Sequence, residues 1–139
     1  MRRKSLGITL IELMIVIVIV AVLASIAVPS YRQYIVRTHR AEAKTALMQL
    51  AAAQEKFYLQ NNRYALDDEL TVAPPAGLGL LATTENGWYT LEIVVTDEDN
   101  PQDWTATASV AGSQSEDSHC ASFSFNSAGA KTATNADCW

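Results

Sequence analysis

The sequence predicts an α+β domain behind a membrane-spanning helix: a long N-terminal α-helix, kinked at Pro29, packed on an antiparallel sheet of three to four strands. Three patterns in the 139 residues carry this expectation. Residues 7–31, GITLIELMIVIVIVAVLASIAVPSY, are almost wholly apolar. Further on, Ala43, Ala46, Leu47, Leu50, Phe57 and Tyr58 recur at three- and four-residue spacing, with Arg40, Lys44, Gln49 and Lys56 mainly off that stripe. Such spacing marks an amphipathic helix, and the stripe reads as core rather than as a cofactor site. The last third alternates instead. WYTLEIVV (88–95) puts Tyr89, Leu91, Ile93 and Val95 on one face; WTATASV (104–110) does so with Trp104, Ala106, Ala108 and Val110; Ala121, Phe123 and Phe125 follow suit. Period-two strands with one apolar face can cover the stripe of the helix and close one layer on another.

Ile8 to Val28 is 21 residues, about 31 Å as a helix, which matches a bilayer core. The β-branched content would suit a strand, but in lipid only a helix satisfies its own backbone. One carboxylate interrupts the run, Glu12, and a charge of that kind costs roughly 2.5–3.5 kcal/mol on insertion scales, so it calls for a partner. Three fates of the segment compete. Ser25-Ile26-Ala27 offers a secretory cleavage site, which leaves Glu12 unexplained. A permanent anchor leaves it unpaired. A cut after Gly7 creates a new amino terminus at Ile8, four residues from Glu12.

Pro29 removes a backbone donor and disfavours helical geometry at Val28, so a kink or interruption is expected there. The amphipathic helix then occupies 30–62, a loop punctuated by Pro74, Pro75, Gly77 and Gly79 fills 64–87, and the sheet spans 88–126. The acidic TDEDNPQD connection (96–103) lacks the spacing and glycine of an EF-hand loop and reads as a solvated hairpin turn.

Charge is uneven. Arg2, Arg3 and Lys4 crowd the start, whereas the residues after Gly7 hold seven Lys or Arg against fifteen Asp or Glu. That acidic body counts against a broad phosphate-binding surface, hence against a nucleic-acid partner. Two cysteines, Cys120 and Cys138, lie behind an export-type segment with 17 residues between them, which favours a disulfide over free thiols. His119 beside two cysteines at this spacing fits no zinc pattern, so no metal and no cofactor is assigned. The disulfide needs an oxidising compartment and places residues 29–139 outside the cytoplasm, which the flanking basic residues alone do not decide. His39 in RTHR has no catalytic grouping around it, no Ser-His-acid or phosphate-loop motif occurs, and the chain reads as a non-enzyme.

KSLGITLIELMIVIVIVAVLASIAVPSY resembles the processing and assembly segment of type IV pilins and their type II secretion relatives: a basic leader ending in Gly7, then Ile8, Thr9, Leu10, Ile11 and Glu12. Ile8 stands where phenylalanine is usual. KFYLQNNRYA (56–65) resembles the end of the long pilin helix, and CASFSFNSAGAKTATNADCW (120–139) the disulfide-bounded tail of PilE-like minor pilins of the type IVa class. The resemblance implies a leader at 1–7 cut after Gly7 by a prepilin peptidase, and N-methylation of Ile8. It implies a filament-core half-helix at 8–28 and a periplasmic domain at 29–139, with Cys120 and Cys138 bounding its last region. Its partners would be other pilin subunits and an inner-membrane assembly platform. The subunit would start in the inner membrane and end in an extracellular pilus serving adhesion, twitching motility or DNA uptake. Glu12, with Thr9 beside it, would direct assembly by meeting the amine of Ile8 in its own chain or a neighbour. A major pilin, a type II secretion pseudopilin and a DNA-binding competence pilin remain as alternatives.

Overall fold

The computed structural model describes residues 8–139; Gly7 and the leader before it lie outside the described residues. The chain divides into two compact units, at Ile35 and Val36, each taken separately below. Residues 29–34 are helical and exposed.

A single helix, α1, runs Leu10–Asn61. The interruption envisaged at Pro29 is absent and the helix does not begin at 30; Pro29 lies inside it. Proline removes one donor from a long ladder, and the turns on both sides keep theirs. The C-terminal end does fall where expected. Asn62 adopts a left-handed φ of 55°, tolerated by asparagine, and its N–H donates to the Tyr58 carbonyl at 2.8 Å.

In the second unit α1 buries Ala43, Leu47, Leu50, Gln54 and Phe57. Gln54 is a polar member of an apolar stripe, and its place is explained by Ala65. The Gln54 Nε2 donates to the Ala65 carbonyl at 2.9 Å, and Oε1 accepts the Ala65 N–H at 2.8 Å. One amide thus satisfies both backbone groups of a buried residue just after the helix.

Four strands, β1 (Tyr89–Val94), β2 (Thr105–Val110), β3 (Ser122–Asn126) and β4 (Lys131–Ala133), form an antiparallel meander in the order β1-β2-β3-β4. Leu91, Ala108, Phe123 and Ala133 stand in line across it, an apolar row one residue per strand. The sheet thus runs past its predicted end at 126. The four strands fall within the expected three to four; β4 falls past the predicted end because three residues cannot display an alternation. Its hairpin is set by Gly129 (φ 79°), whose N–H donates to the Asn126 carbonyl.

The other edge is guarded. Outward N–H groups of β1 go to Thr84 Oγ1 (Tyr89), the Ala82 carbonyl (Leu91) and Asp67 Oδ1 (Ile93), so the 64–87 loop covers an edge that would otherwise template pairing. That loop contains a short 3-10 turn, Asp67–Glu69, and a bridge between Thr83 and Thr90. In the β1–β2 connection the Asp103 carboxylate accepts from both the N–H and the hydroxyl of Thr96, and Asp97 accepts the Asp99 N–H. Two of its acids thus serve the turn itself.

Candidate functional site

The first candidate is the start of α1. Thr9 directly precedes the helix, and its Oγ1 accepts the backbone N–H of Glu12 at 3.3 Å. Thr9 is therefore an N-cap and Glu12 the third helical residue, the T-x-x-E arrangement of a capping box. The pattern is plain in the sequence, yet the expectation above gave Thr9 and Glu12 only an assembly role. The helix start also favours a carboxylate in its first turn, where unsatisfied N–H groups gather positive potential. Thr9 and Glu12 are thus brought together in the first turn, Ile8 precedes it, and Gly7 lies outside the described residues.

From Leu13 to Val28 the helix is apolar on every side. Its 18-residue window of highest hydropathy averages 3.0 and none of it is buried. Leu10 is 77% exposed, and even Met14 is 52% exposed. A surface helix of a globular protein hides one stripe; a helix apolar all round needs an apolar surrounding, whether lipid or other helices. The one hydroxyl after Glu12 in the run is internally satisfied, Ser25 Oγ donating to the Val22 carbonyl at 2.7 Å, so it makes no demand on that surrounding.

The second candidate is the corner of the globular unit where α1 meets the disulfide region. Cys120 and Cys138 are bonded, as expected, with a Cα–Cα distance of 5.7 Å, and both are buried. Beside them Asp117 is held bidentately by Arg40, Nε to Oδ2 at 2.7 Å and Nη2 to Oδ1 at 2.8 Å, and also accepts the Cys120 N–H. Gln114, fully enclosed in a turn over Gly112–Glu116, directs its Nε2 at the Val36 carbonyl, the Tyr89 hydroxyl and Asp117. Its Oε1 therefore faces His39 Nδ1 at 2.8 Å, which fixes that nitrogen as the donor, and the His39 ring stacks on Trp88. His39 is thus satisfied by neighbours. Arg40 was placed off the apolar stripe, but Val36 and Arg40 continue the series of Ala43, Leu47 and Leu50 upstream, and that extended spacing is the signal that would have found it.

Burial opposes the charge on Asp117, but Arg40, the Cys120 N–H and Gln114 outweigh it, and the carboxyl titrates below its ordinary range. A carboxylate depressed on folding adds stability above the unfolded pKa of about 3.9, and that stability is lost as pH falls through the folded value. Asp117→Asn is therefore expected to lower stability at pH 7 by about 1–3 kcal/mol. It should also flatten the acid limb of the stability curve below about pH 4. Denaturant melts of the two proteins across pH 2–7 check this, and equal acid limbs would contradict it.

Residues 2–28 match the prokaryotic N-terminal methylation motif, and residues 29–124 match the family described as type IV minor pilin ComP, DNA uptake sequence receptor. The chain belongs to this type IV pilin family. Among relatives, the type IV major pilin PilA of Myxococcus xanthus (strain DK1622) is 41% identical over 75 residues, 53% of this chain and 34% of PilA. A fimbrial protein of Pseudomonas aeruginosa is 33% identical over 106 residues, covering 68% of this pilin and 69% of that protein. The match thus spans about a third of the length of PilA. A type IV pilin structure from Shewanella oneidensis superposes with a TM-score of 0.51 over 75% of this pilin and 97% of that chain, at 21% identity, and shares its fold.

Proposed function

We propose that this pilin is a non-enzymatic subunit of a type IV pilus, of the minor class. In this reading a prepilin peptidase cuts after Gly7, Ile8 is N-methylated, and the helix from Ile8 holds the subunit in the inner membrane with the globular unit periplasmic. An assembly platform then moves it into the filament, where its apolar helix packs on those of other pilins. The observation that carries the proposal is the unburied, all-round apolar helix with a single carboxylate in its first turn. Lipid and a bundle of like helices are equally apolar surroundings, so transfer between them leaves the apolar term nearly unchanged. What the filament adds is a cation for Glu12. Methylation leaves the amine of Ile8 protonated, and the pair fixes register more than it adds bulk stability, because desolvation offsets much of the attraction. Shearing filaments from cells that make the chain tests this: the cleaved chain is expected in the sheared fraction, and its confinement to the membrane fraction would contradict assembly.

A second reading, reception of DNA at the filament surface, is favoured by the match of residues 29–124 to a family described as DNA uptake sequence receptors. Residues 36–139 hold only six Lys or Arg against fourteen Asp or Glu. Two of the six are engaged in bidentate pairs, Arg40 with Asp117 and Arg63 with Glu69. The cations that converge are Lys44 and Lys131, their ammonium groups 5.7 and 5.2 Å from the centre of the Trp139 ring, an arrangement suited to backbone phosphates. Replacing both lysines by alanine is expected to weaken duplex binding at least about tenfold and to reduce the salt slope by about 2. Titrations of the detergent-solubilised chain at several salt concentrations measure both, and binding that is absent, or indifferent to the two lysines, would remove this reading.

A further inference from the structure

We propose that in its dithiol form this chain binds one zinc ion through Cys120, Cys138, His119 and Asp137, so that zinc and the disulfide are alternative staples of the same corner. A His119 ring nitrogen and the two sulfurs all lie within 4.8 Å of one another. The Asp137 carboxylate lies 2.9 Å from His119 Nε2 and supplies an oxygen donor. Two thiolates and an imidazole converge, Asp137 beside the imidazole offers the fourth donor, and these are donor types zinc prefers. In this proposal the sulfurs part to the spacing of a tetrahedral site once the sulfur–sulfur bond is broken. Linear spacing concealed this, because His119 and Cys120 are adjacent and Asp137 and Cys138 are adjacent, two pairs rather than four separated ligands.

The corner holds its shape by bonds that do not involve sulfur. Asn135 Nδ2 donates to the His119 carbonyl, Ser122 N–H to Thr134 Oγ1, Thr134 N–H to the Ser122 carbonyl and Cys138 N–H to the Asn135 carbonyl. The two ligand pairs therefore remain facing each other once the sulfur bond is gone. The sulfurs form a buried floor, and His119 and Asp137 an exposed rim through which an ion enters.

The dithiol exists in every newly made chain before its disulfide forms, and a phosphine regenerates it. Phosphorus supplies two electrons, the sulfur–sulfur bond breaks, two thiols form with protons from water, and the phosphine leaves as its oxide with the oxygen of that water. Zinc then displaces the two thiol protons to solvent.

The test is metal uptake by the full chain in detergent, reduced with a phosphine and exposed to zinc, followed by gel filtration and metal analysis. One equivalent is expected in the reduced chain and almost none in the oxidised chain. His119→Ala and Asp137→Asn should each weaken uptake by about tenfold or more while leaving the oxidised chain's melting unchanged. Cobalt in place of zinc should give the thiolate charge-transfer band of a tetrahedral site, a readout independent of stability. The proposal fails if the reduced chain takes up no zinc, if Cys120→Ser/Cys138→Ser takes up as much as the reduced wild type, or if neither rim substitution alters uptake.

Discussion

Cys120→Ser/Cys138→Ser is expected to destabilise the globular unit by about 3 kcal/mol, the chain-entropy value for a closed loop of roughly this size. For a domain near 100 residues that corresponds to a fall in Tm of roughly 10 °C or more. Local chemistry adds to the chain entropy, because the replacement leaves two hydroxyls where Cys120 and Cys138 are buried. The damage should spread along α1, since the Cys120 N–H is one of the groups that hold Asp117 for Arg40. Melting the double variant beside the oxidised wild type measures the effect. A loss under about 1 kcal/mol would mean that the hydrogen bonds from Asn135, Ser122 and Thr134 already close this loop.

The second large effect is expected at Glu12, where the cap and the charge can be separated. The Thr9 cap uses only the backbone N–H of residue 12, so Glu12→Gln retains it and removes the charge. If the carboxylate meets the amine of Ile8 in the filament, this substitution should cut incorporation into sheared filaments by about tenfold or more, because it leaves that amine unpaired in an apolar core. Thr9→Val does the reverse. It removes the cap, keeps the charge, and should cost only about 1 kcal/mol of helix stability, with a correspondingly small loss of incorporation. Quantitative blots of sheared and membrane fractions distinguish the two. A Glu12→Gln loss no larger than that of Thr9→Val would contradict a role for the carboxylate in assembly.

The legible part of this fold is the part written as period. The stripe from Ala43 to Phe57 and the alternations of β1, β2 and β3 were readable because burial of one face forces spacing on the residues that do it. What escaped has no period, or breaks one. Gln54 sits in the stripe as a polar residue because its reason is a backbone pair at Ala65, eleven positions on. Asp117 and Gln114 lie in an irregular segment, and the sequence does not announce that Arg40 and His39, some 75 positions earlier, meet them. At Pro29 the local rule allowed a kink or an interruption of the long helix, and the helix runs on through it. At the candidate site Thr9 and Glu12 were singled out for assembly, while the capping relation between them was overlooked although its pattern lies in the open.

The most direct test of the assembly account is the intact mass and N-terminal fragment spectrum of the chain recovered from sheared filaments. The account predicts a chain that begins at Ile8 and carries one additional methyl group on its amine. A chain that still begins at Met1, or that begins at Val28 after cleavage at Ser25-Ile26-Ala27, would contradict it, because Glu12 would then have no Ile8 amine to meet.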